Sequence, residues 1–175
     1  MSDGARRGEQ QRQRGDQAGA AEADEPMKQF VHSMIAEIYW GYYSANRWKF
    51  QNRTFTTDFK NEDIRTWDLT TLADRVFKNY LLSVKNPTLL KNEDYKDYEE
   101  VIYSYGNSRA QRPKLFDFLA HRAIDYFMNT EPDISKPVYT FTVDDPRYFG
   151  TAEEFIKLDI TSRDSMASKF YATKL

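Results

Sequence analysis

The row Leu69, Leu72, Val76, Tyr80 and Val84, with Phe77 and Leu81 beside it, advances in steps of three and four residues. A chain that writes such rows builds amphipathic helices, and each must bury its apolar face. Asp68 stands directly before the row, after Trp67, and reads as its N-cap, because a short side-chain oxygen there can accept from a free backbone N–H of the first turn. Asn86–Pro87 is expected to end this helix. Upstream, Phe30, Met34 and Ile38 recur at four-residue steps, as do Val31, Ile35 and Tyr39, and both rows are expected on one wide buried face. Tyr42 and Tyr43 extend that face. The spacing predicts a first helix from near Pro26, where a missing N–H is harmless, to about Phe50. Gly41 inside it either costs about 1 kcal/mol relative to Ala or permits close approach of a neighbouring helix.

Further helices follow. Tyr95, Tyr98, Ile102 and Tyr105 share a face, which predicts a helix over Asp94 to Tyr105 with Gly106 as its C′ residue. Pro113 is expected to open another. Its buried stripe is Leu115, Phe118, Leu119, Ala123, Tyr126 and Phe127, closed by Asn129. Residues 51 to 67 read as irregular, with Thr54 to Thr57 extended, and Thr130 to Pro137 as loop. In 138–143, Tyr139, Phe141 and Val143 alternate with Thr140 and Thr142, the spacing of a strand. This short extended segment is expected to be a loop or an edge that pairs elsewhere. Thr151 and Glu154 match a capping box and predict a helix from Ala152 to about Leu158. Asp164 or Ser165 is expected to cap a last helix with Met166, Phe170, Tyr171 and Leu175 on its apolar face.

That face stops at Leu175 without a glycine, a proline or a polar tail. A helix of about ten residues is marginal alone in water, so the expectation is a helical domain over 26–175 truncated at its C-terminus. Residues 1–25 are expected to be a disordered polar tail, since they contain no aromatic or β-branched residue and cannot offset their ordering entropy. The tail reads as a solvated extension, as a start placed too early with Met27 nearer the domain edge, or as a charged segment that binds something. It has no apolar h-region, so no secretory signal is read there. The fold class expected is mainly α, built of helical hairpins, with solenoid-like stacking as one arrangement.

The chemistry the chain can support is narrow. Cysteine is absent, which removes disulfides, thiolate metal sites, iron–sulfur clusters and a thiol nucleophile. A net charge of −2 exerts no general pull on nucleic acid or anionic membranes. No apolar run approaches the roughly 18 to 20 residues that span a bilayer. Large rings, 15% of the chain, instead supply contact area to hold helices together.

Two histidines exist, His32 and His121, neither with a second histidine one turn away. His121 has Asp117 and Asp125 one turn to either side and could serve as a general base; the alternative for both histidines is a hydrogen-bonded residue at the core boundary. Glu93, Asp94, Asp97, Glu99 and Glu100 cluster as a solvated face. Asp144–Asp145–Pro146 reads as a turn without the regular oxygen ligands of a calcium loop. Tyr42, Tyr43, Arg47, Trp48, Lys49, Phe50 and Arg53 mix rings and cations as single-strand binders do, or place cations near a helix C-terminus, where the dipole favours them. Asn52–Arg53–Thr54 matches a glycosylation triplet. No catalytic, cofactor or metal residue is assigned, no cofactor is expected, and the binding residues stay open.

Three stretches together carry a resemblance. They are Tyr39–Trp40–Gly41–Tyr42–Tyr43 with Asn46–Arg47–Trp48–Lys49–Phe50 and Asn52–Arg53–Thr54; Asp63–Ile64–Arg65–Thr66–Trp67–Asp68–Leu69; and Arg112–Pro113–Lys114–Leu115–Phe116–Asp117–Phe118–Leu119–Ala120–His121–Arg122–Ala123. In this order and spacing the chain from about Met27 to Leu175 resembles the N-terminal helical region of large bacterial alpha-2-macroglobulin-like proteins. The resemblance implies a far longer parent, exported to the cell envelope or periplasm, that inhibits proteases by trapping. Its devices are a bait segment and, in many members, a thioester of Cys and Gln; with no Cys here, no thioester residue carries over. The implied role is a non-catalytic helical scaffold or interaction region, whose partners are the rest of the parent and, through it, proteases. A free-standing helical module that binds a peptide or protein is the alternative.

Overall fold

Ser33 and Ala36 present almost no side chain, and both are fully buried on one face of the helix Met27–Phe50. This helix, α1, packs along a second, α2, spanning Leu69–Ser83. His32 lies against Asn79 and Tyr39 against Trp67, so higher positions on α1 meet lower positions near α2, and the two helices run antiparallel as a hairpin. In the computed structural model, residues 25–50, 62–102, 108–129, 141–164 and 167–175 are described. Among them the fold is mainly helical, as the rows predict.

The expected row on α2 holds at its centre: Leu72, Val76, Phe77, Tyr80 and Val84 are buried, while Leu69 and Leu81 are half-buried. Asp68 is the N-cap, its carboxylate accepting from the Thr71 N–H at 2.7 Å. On α1 the reading needs correction. Phe30, Ile35 and Tyr39 are buried, but Met34 and Ile38 are exposed. The two rows therefore do not share one face, and Phe30 belongs to the core without its followers. The buried side instead continues through Tyr43 to Phe50. Gly41 is also not a close-approach site, since a methyl there would meet nothing within 4 Å. Gly41→Ala should therefore raise unfolding free energy by about 0.5–1 kcal/mol through lost chain entropy, a shift that chemical denaturation would resolve.

Near its end α1 departs from helical geometry at Asn46 (φ −123°, ψ 19°), whose side-chain amide donates to the Tyr42 carbonyl at 2.9 Å. A 3₁₀ turn, Ile64–Thr66, leads into Trp67 and is capped by Asp63. Thr54 to Thr57 lies outside the described residues. After α2, Asn86 takes the left-handed conformation (φ 68°), and Pro87 then begins a short helix, α3, Pro87–Asn92. Proline ends one helix and starts the next, because its fixed φ suits the first helical position.

The helix expected over Asp94 to Tyr105 is replaced by a 3₁₀ turn, Tyr95–Tyr98. The reason is a pairing distant in sequence. The Tyr95 N–H donates to the Pro113 carbonyl at 2.9 Å, and the Leu115 N–H to the Glu93 carbonyl at 3.1 Å, forming an antiparallel bridge between Asp94 and Lys114. That bridge fixes the backbone just where the helix would begin. Tyr95, Tyr98 and Ile102 are nonetheless buried, as their shared spacing implies; Tyr105 and Gly106 lie outside the described residues.

After α4, Ser108–Gln111, Pro113 is held in the bridge, and α5 starts two residues later as Leu115–Phe127. Leu115, Leu119, Ala123, Tyr126 and Phe127 are buried as expected, while Phe118 is half-buried with its ring 6.4 Å from Phe30 and 5.5 Å from Tyr95. The helix closes at the turn where the Asn129 N–H donates to the Tyr126 carbonyl.

The chain divides into two compact units, Met1–Ala123 and Ile124–Leu175, with the division inside α5. The second unit contains a 3₁₀ turn, Pro146–Phe149, then α6, Ala152–Phe155, and α7, Ser168–Lys174. Its interior is a chain of rings. Phe127 lies 5.8 Å from Tyr171, Tyr171 5.0 Å from Phe170, and Phe170 5.6 Å from Phe141. Phe141 continues to Tyr148 at 6.3 Å, and Tyr148 to Phe155 at 6.4 Å. The capping box at Thr151 and Glu154 is complete in both directions.

Of the segment 138–143, the described residues Phe141, Thr142 and Val143 form no strand. The cap expected for the last helix is corrected. Ala167 occupies the N-cap position of α7 without a side-chain bond, and Ser165 and Met166 lie outside the described residues. The Asp164 backbone is engaged with Ser162, its N–H donating to the hydroxyl at 3.1 Å, in a turn that precedes the helix. The face of Phe170 and Tyr171 is half-buried against the other rings of its unit.

Candidate functional site

His32 and His121 stand in different settings. His32 is half-buried and bonds Asn79 Oδ1 through Nδ1 at 2.9 Å, while the Asn79 amide donates back to the Arg75 carbonyl. It joins the two helices of the hairpin. His121 is exposed, and its Nδ1 lies 2.9 Å from the backbone carbonyl of Asp117. A carbonyl only accepts, so Nδ1 carries the proton there. The Asp117 carboxylate turns toward the helix start instead, accepting from the Lys114 N–H at 3.2 Å. The imidazole is thus oriented by backbone, and the carboxylate caps α5. The proposed base–acid pairing of His121 with Asp117 is not assembled by these bonds.

The acidic stretch divides by task. Asp94 caps the 3₁₀ turn and lies 4.0 Å from Lys114, and Asp97, Glu99 and Glu100 are exposed. Glu93 approaches the Tyr98 hydroxyl at 3.5 Å. Burial, with the Glu93 charge adding to it, pushes the Tyr98 phenol up to about 12, so it stays neutral across the ordinary pH range. Asp145 is the N-cap of its 3₁₀ turn and binds Arg147, whose hydrogen bonds hold the carboxyl below its usual range. The Asp144–Asp145–Pro146 stretch is therefore the turn that its composition suggests.

At the end of α1, Arg47 sits over the Tyr43 ring at 5.8 Å and Lys49 over Trp48 at 5.3 Å. Lys49 also donates to Asn46 Oδ1 at 2.6 Å. These cations engage the helix's own last turns, the arrangement that the helix dipole favours. Arg53 and the Asn52–Arg53–Thr54 triplet lie outside the described residues. Among the described residues, no three His, Asp or Glu side chains stand together as a metal-binding group, and no helix is long and apolar enough to cross a membrane.

The arrangement that sequence reasoning missed is on α1. Met27, Met34, Ile38 and Trp48 are exposed by 40, 42, 49 and 67%, with exposed Gly41 and Ala45 and half-buried Val31 between them. At 100° per residue Met27, Val31, Met34, Ile38, Gly41 and Ala45 fall on the side opposite Ala36 and Tyr43, while Trp48 lies beyond the break in helical geometry at Asn46. The helix therefore has two apolar faces, one packed in the hairpin and one open from Met27 to Ala45. The available signal was the apolar spacing itself, which marks both faces and ranks neither.

Beside this open seam Glu37 reaches Arg122 of α5, forming an ion pair whose cation is mostly covered and whose anion is mostly exposed. The guanidinium also lies 5.3 Å from the Phe118 ring centre, and burial lowers the Arg122 pKa from its usual value. The pair links α5 to α1 beside the seam. Deeper in α1, Ser33 Oγ and Gln29 Oε1 are buried without a hydrogen-bond partner, a local cost within the packed face. The chain matches no protein-family model, no curated protein and no solved structure.

Proposed function

We propose that this chain is a non-catalytic helical scaffold and interaction region of an alpha-2-macroglobulin-like protease inhibitor of the bacterial cell envelope. Inhibition belongs to the parent protein, and this region contributes contacts. The observation that carries the reading is the open seam of α1. Scattered surface apolar residues are ordinary, but apolar residues aligned on one exposed helix face suit a surface that a partner covers. The helical stretch before Asn46 is about 28 Å long at about 1.5 Å per residue, enough to present that face to a neighbouring element. The partners in this reading are the rest of the parent chain and, through it, proteases.

A second reading is a free-standing helical module whose surface takes a peptide or protein. The contacts of Tyr171 with Phe127 and of Phe170 with Phe141, all within the second unit, suit such a module. The reading frame around the gene separates the two. A frame that continues past Leu175 into helices and then repeated β-sandwich domains is the result expected from the inhibitor reading. A genuine stop there, with a purified chain that unfolds cooperatively as a monomer, would exclude it and leave the module.

A further inference from the structure

We draw no further inference here: the strongest candidate, the outward-facing apolar seam of α1 from Met27 to Ala45, is the surface already described, and nothing in the structure shows what covers it.

Discussion

Trp67→Ala is expected to lower the unfolding free energy by about 3–5 kcal/mol, the range for deleting a large ring from a packed interior. Trp67 is 3% exposed and sits where the 3₁₀ turn meets α2. Its ring meets Tyr39 edge to face at 5.3 Å, and Arg75 lies 5.5 Å from its centre. The residue thus joins three features: the buried face of α1, the first turns of α2, and the Asp68 cap that follows it. Truncation would leave a cavity between the helices and free the chain entering the cap. Trp67→Phe keeps an aromatic ring against Tyr39 and should cost clearly less. Denaturant titration followed by circular dichroism checks both. A loss below about 1 kcal/mol for Trp67→Ala would place the ring outside the core, since surface changes stay within about 0.5 kcal/mol.

Phe127→Ala should destabilise to a similar degree, about 3–5 kcal/mol, and its effect should be read in the second unit. Phe127 is completely buried and begins the series of rings that runs through Tyr171, Phe170 and Phe141 to Tyr148 and Phe155. Few aliphatic residues share that interior; among the described residues after Phe127, only Ile160 and Ala167 are buried apolar ones. Removing the first ring exposes the face of Tyr171, and α7 has no side-chain cap to hold its first turn. Hydrogen exchange should therefore accelerate across Ser168–Lys174 in the variant. Unchanged protection there would mean that α7 is held by something other than the ring series.

What could be read from the sequence was local. Asp68 and the row behind it, and the reciprocal pair Thr151 and Glu154, each satisfy backbone groups within one turn of themselves, so their spacing determines their structure. Where a distant segment decides, spacing misleads. Tyr95, Tyr98 and Ile102 bury together as a helical face would, yet the backbone there is a 3₁₀ turn held by Pro113 and Leu115. Asp164 has the composition of a cap, but its backbone is engaged with Ser162, and α7 starts at Ser168 behind Ala167, whose side chain makes no cap bond.

The candidate site shows the same limit more sharply. Every residue of the seam is visible in the sequence as apolar and correctly placed on a helix. Its outward direction depends on which side of α1 receives α2. That choice follows from the small side chains at Ser33 and Ala36 and the rings at Tyr39 and Tyr43, which pack together only in three dimensions. His121 posed the opposite problem. Its neighbours Asp117 and Asp125 suggest acid–base chemistry by spacing alone, and the structure gives the Asp117 carboxylate to the Lys114 N–H.

The claim that α1 has one face for the fold and a second for a partner is tested most directly with the double variant Met34→Gln/Ile38→Gln. Unfolding free energy and binding of an apolar dye are measured on the same samples. The account predicts stability within about 0.5 kcal/mol of the parent sequence per site, as for surface substitutions, together with a clear fall in dye binding. A loss of about 2 kcal/mol or more in the double variant, the scale of a core truncation, would show that this face belongs to the interior and would contradict the account.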